Sequence, residues 1–162
     1  MSRFFIALLP FALLIASVGT RDSWAKTGPL EPIYVSPADV VWKDAPSAGP
    51  GAKIVVLEGD MAKAEPFTAR ISVPAGLEIA PHTHPTTERV TIISGTLHLG
   101  HGAKLDRSKT MAFPAGSFIV MPPGMPMFAF CEEETVIQLN GVGPWGIFYL
   151  NPEDDPLRPA SE

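Results

Sequence analysis

The sequence predicts an all-β domain, a sandwich or barrel of short strands, and two observations carry that expectation. Apolar β-type runs of four to eight residues recur along the chain, and no long stretch repeats with the 3.6-residue period of a helix. Eighteen prolines and fourteen glycines stand among 162 residues, spread between those runs rather than gathered into a repeat. Tight turns therefore join the runs, and collagen-like or low-complexity readings fail. Apolar residues make up 46% of the chain, enough for a core and too many for a disordered chain.

The first element reads as a targeting segment. Arg3 precedes a 15-residue apolar run, 4–18, broken by Pro10. That is shorter than the about 20 apolar residues a spanning helix needs. Small residues follow at Ser17-Val18-Gly19 and Ser23-Trp24-Ala25, and cleavage after Ala25 is the reading adopted. The alternative is an uncleaved membrane anchor. On the first reading 1–25 is a signal peptide, and the protein is periplasmic or secreted with no membrane attachment afterwards. Formal net charge is −5 with no basic cluster, which excludes a nucleic-acid binder. The single Cys131 forms no internal disulfide, so an exported domain must stand on its core, a metal or a partner subunit.

Residues 26–52, rich in Pro, Ser and Ala, read as an extended arm with one strand near 33–35 or 40–42. Strands are then expected at 54–57, 67–73, 78–84, 89–93, 96–99, 118–121, 127–130, 135–139 and 147–150. Turn residues separate them, among them Pro74-Ala75-Gly76, Ser94-Gly95, Pro114-Ala115-Gly116 and Pro122-Pro123-Gly124. The barrel proper is placed at 53–150 and an acidic, proline-rich tail at 151–162.

Chemistry concentrates between Gly76 and Gly95. His82 and His84 are two apart, so on a strand both imidazoles share one face. Pro85-Thr86-Thr87 makes a turn, and Glu88 opens the next strand beside them. Two nitrogens and one oxygen on one side of a cation leave open positions opposite. Read this way, His82, His84 and Glu88 are metal ligands. The simpler alternative for a His-x-His pair is a solvated or hydrogen-bonded pair on a strand.

The spacing Gly76, His82, His84, Glu88, Gly95 resembles the first motif of the cupin family, and Gly116, Pro122 and Gly124 resemble its second. The likeness runs over about 53–156, including Gly143-Pro144-Trp145-Gly146. It implies a double-stranded β-helix, the jelly-roll cupin barrel, in one domain. It also implies one divalent transition metal (Fe, Mn, Ni or Zn, with Cu as the alternative), a small-molecule ligand in the barrel mouth, and a homodimer paired through N-terminal strands. Activity stays open between an oxygenase- or isomerase-type enzyme, with Glu88 as a catalytic base, and a non-catalytic binder, for instance in copper handling.

The chain departs from the second motif, with Met127 where the fourth ligand histidine is expected and Cys131 where Asn is expected. Met127 as a thioether ligand, a three-ligand site, another histidine, and a site that holds no metal all remain open. If Ser94-Gly95 closes a two-residue hairpin, Glu88 faces His101 and both point inward with Val90, Ile92, Leu97 and Leu99. On that register His101 is the replacement candidate and His98 points outward. Met111, Met121, Met125 and Met127 read as core packing for at least two of the four. Cys131 reads as a free thiol at a strand end near solvent. Trp145, Phe148 and Tyr149 read as core or interface, and Arg70 as a surface residue or a carboxylate-binding group in the mouth.

Overall fold

The structure, a computed structural model, describes residues 31–158, so the expected leader and the first residues of the arm lie outside it. Among these residues eleven strands follow one another: β1 (Lys43–Asp44), β2 (Lys53–Glu58), β3 (Pro66–Val73), β4 (Glu78–Thr83), β5 (Glu88–Ser94), β6 (Thr96–His101), β7 (Thr110–Pro114), β8 (Phe118–Met121), β9 (Met127–Phe130), β10 (Thr135–Val142) and β11 (Phe148–Tyr149). They form two antiparallel sheets, ordered β1-β2-β3-β10-β5-β8 and β11-β4-β9-β6-β7. This is the jelly-roll barrel expected.

Alternation explains which residues face inward. In β3 the residues Phe67, Ala69, Ile71 and Val73 are buried, while Thr68, Arg70 and Ser72 face out. The same period places Val90 and Ile92, Leu97 and Leu99, and Ile137 and Leu139 in one core between the sheets. Arg70 donates from Nε to Gln138 Oε1 at 3.1 Å on the outer face, so it does not enter the mouth.

The hairpin expected at Ser94-Gly95 does not form. β5 pairs with β10 and β8 in one sheet, while β6 pairs with β7 and β9 in the other. The two residues instead make a corner where the chain changes sheets. Gly95 has φ 73°, and a Cβ there would meet Thr135 Oγ1 at 2.5 Å and the Glu134 carbonyl at 2.6 Å. Thr135, fully buried, ties the corner by accepting from Thr96 N and donating to the Thr96 carbonyl, both at 3.2 Å.

The arm also differs from expectation. Its strand is Lys43–Asp44, and 45–52 is packed rather than extended. Ala45, Ala48 and Ala52 form a small buried cluster with Ile54, Leu77 and Ile147. β7 was not foreseen: its sequence TMAFP carries an exposed methionine and ends on proline, which blurs the strand signal.

Candidate metal centre

β4 delivers His82 from within the strand and His84 one residue past its end, and β5 begins on Glu88. The turn at 85–87 thus folds the carboxylate back onto the imidazoles. All three side chains are buried. The two rings meet edge to face, with centroids 4.9 Å apart.

Each imidazole is held by a backbone carbonyl. His82 Nδ1 donates to the Ala80 carbonyl at 2.7 Å, and His84 Nδ1 to the Gly146 carbonyl at 2.8 Å. A carbonyl only accepts, so both Nδ1 atoms carry the proton and both Nε2 atoms keep a free lone pair. Glu88 is divided in a similar way. Its Oε1 accepts from Trp145 Nε1 at 3.2 Å, while Oε2 stands 3.5 Å from His84 Nε2.

Burial governs the charges. Desolvation pushes His82 down to about 4, against the opposing pull of the Ala80 carbonyl. It lowers His84 as well. It raises Glu88 to about 7, against the Trp145 N–H. The close His84–Glu88 approach is therefore not an ion pair at neutral pH, because each partner is driven toward its uncharged form.

These groups close one end of a cavity of about 50 Å³. Its other walls are apolar, among them Val90, Leu99, Ile119, Met121 and Ile137. A water takes about 30 Å³ of liquid volume, so the space suits an ion with a water or two and not an organic molecule of usual ligand size.

The His84–Glu88 pair is spaced as two ligands of one cation would be. Two ligands about 2.1 Å from one cation at a tetrahedral angle stand about 3.4 Å apart, close to the His84–Glu88 separation of 3.5 Å. The carbonyl partners on Nδ1 are those that orient metal-binding histidines. Thr86 Oγ1, in the turn between His84 and Glu88, is buried with no hydrogen-bond partner among the described residues. Among the described residues, no group of three or more His, Cys, Asp or Glu side chains stands close enough together to hold a metal ion.

The two candidates for a fourth ligand part company. His82, Met127 and His101 are cross-strand partners in one row over β4, β9 and β6. Met127 is buried and lines the cavity. His101 is exposed and lines an open outer groove with Lys104, Arg107 and Phe128. The inward aim read for His101 rested on the hairpin that does not form, and on the last residue of β6 alternation no longer buries a side chain. Met121, cross-strand partner of Glu88, also lines the cavity, whereas Met111 and Met125 are exposed. His98 stacks on Phe130 outside, at 4.5 Å. Cys131 is buried rather than near solvent and lies outside the cavity lining.

Two residues read as core or interface belong to the centre's supports. Trp145 lies nearly parallel to His84, with centroids 5.0 Å apart and planes 15° apart. Tyr149 lies 5.9 Å from His82 and donates its hydroxyl to the Ser47 carbonyl at 2.8 Å. The Gly143-Pro144-Trp145-Gly146 stretch was the one signal that marked this segment.

Residues 30–145 match the family described as ChrR cupin-like domain. No curated protein matches the sequence. Among solved structures, the polyketide cyclase RemF from Streptomyces resistomycificus superposes with a TM-score of 0.62 at 17% identity, covering 76% of this chain and 88% of that one. An RmlC-like cupin from Shewanella frigidimarina gives 0.55 at 17% identity, covering 69% and 91%. KdgF from Halomonas sp. gives 0.54 at 14% identity, covering 70% and 96%. Identities this low make the likeness one of fold.

Proposed function

The chain belongs to the ChrR cupin-like domain family, and from that premise we propose that it is a metal-binding barrel. His82 Nε2, His84 Nε2 and Glu88 Oε2 hold one divalent transition ion. The observation that carries the reading is the commitment of both Nδ1 atoms to backbone carbonyls. It leaves both Nε2 lone pairs of two buried rings free to bind an ion. When bound, the ion supplies the positive charge that a buried Glu88 carboxylate otherwise lacks. Met127 stands beside His82 as a soft donor if the ion is Cu(I). The apolar run at 4–18 supports export, and a homodimer is what the family resemblance implies.

The test is metal analysis of purified protein. One Zn, Fe, Mn, Ni or Cu per chain supports the reading. A His82→Ala, His84→Ala double variant that retains that ion would overturn it.

A second reading, a metal-dependent enzyme acting on a small molecule, is favoured by the water-sized space left beside the donors. Its residues act by confinement: the apolar walls exclude bulk water, and Glu88, pushed up to about 7, is a buried group poised to take a proton near neutral pH. The walls enclose too little volume for an organic substrate of usual size. The binding reading needs no more room than is there and is preferred. Turnover of any organic substrate coupled to the bound ion would reverse that preference.

A further inference from the structure

We propose that Trp145 is a positioning residue that decides which oxygen of Glu88 faces the metal centre, an inference resting on the metal-binding reading above. The indole N–H takes Oε1 at 3.2 Å and leaves Oε2 toward His84 Nε2. The same ring covers the face of His84 at 5.0 Å. The next residue, Gly146, accepts the His84 Nδ1 proton at 2.8 Å. Two consecutive residues thus hold both donors, from a segment far along the chain from either.

That segment is anchored independently of β4 and β5. Trp145 N donates to the Met61 carbonyl at 2.8 Å, and Gly143 N to the Glu65 carbonyl at 3.0 Å. The edge of the indole packs against Phe67, centroids 6.4 Å apart. The indole is therefore a fixed donor rather than a follower of Glu88. With Oε1 engaged by the indole, Oε2 is the oxygen that would be offered to an ion beside His84, favouring one-oxygen ligation by Glu88.

Two measurements on the full chain test this. In metal-free ¹⁵N-labelled protein, Glu88→Ala should shift the Trp145 indole N–H resonance and speed its exchange with solvent, with Trp42 as the internal reference. Glu88→Gln, which keeps an acceptor oxygen, should largely preserve both. An indole resonance unmoved by Glu88→Ala overturns the proposal whether or not metal binds, and still decides it if Trp145→Phe fails to fold. In the second measurement, Trp145→Phe keeps a ring for His84 but loses the N–H. It should bind one Zn(II) per chain about 10- to 100-fold more weakly and alter the Co(II) absorption spectrum. Wild-type affinity and spectrum in Trp145→Phe overturn the proposal and leave the metal reading intact. A His84→Ala variant run in parallel that binds as wild type does removes the metal reading instead.

Discussion

His84 Nε2 and Glu88 Oε2 face each other at 3.5 Å inside the barrel, too far for a good hydrogen bond and right for two donors to one cation. Both groups favour their neutral forms there. The proton on Glu88, rather than one on a histidine, therefore opposes metal binding.

Metal binding should release about one proton per ion at pH 6 and almost none at pH 8.5. Glu88 titrates at about 7, and His82, at about 4, is already neutral at both values. Affinity should fall about tenfold per pH unit below 7. Calorimetry in buffers of different ionisation enthalpy counts the protons. Release that is equal at the two pH values would contradict the assignment.

The metal-free protein should show opposing pH effects on stability. Glu88 is raised from 4.5 to about 7, so the folded state binds the extra proton and stability falls as pH rises across that window. His82 is lowered from 6.5 to about 4, so stability rises with pH across that one. The two offset each other where the windows overlap. Glu88→Gln removes the first effect alone. It should therefore gain on wild type by on the order of 3 kcal/mol between pH 4.5 and 8, as read by urea unfolding at each pH.

His101→Ala should leave metal stoichiometry and affinity unchanged, since the ring is exposed in a separate groove. Met127→Leu nearly conserves volume and should cost less than about 1.5 kcal/mol in stability. It should weaken Cu(I) binding while sparing Zn(II). Titrating both ions into both variants checks this directly.

Gly95→Ala should destabilise the fold by about 2–4 kcal/mol, combining left-handed backbone cost with overpacking against Thr135. Denaturant midpoints measure it. A neutral result would mean that the corner can relax.

Much of this architecture was legible because strand alternation is local. Val90 and Ile92, or Leu97 and Leu99, declare an inward face whatever strand lies beside them. Their neighbours do not. Ser94-Gly95 reads alike as a hairpin loop or as a corner between sheets, and only the contact with Thr135, 40 positions on, separates the two. His82, His84 and Glu88 were legible because one strand end and one turn bring them together. Trp145 was not, because its role arises from a contact 57 residues away in sequence. His101 obeys the right period but lies where its strand runs out of barrel.

Glu88 and Trp145 lie 57 positions apart, which also sets the order in which they are made. A chain emerging N-terminus first presents both histidines and the carboxylate well before the indole exists to orient them. The indole that orients the carboxylate is thus supplied late, and the three side chains cannot take their final arrangement until nearly the whole barrel has been made.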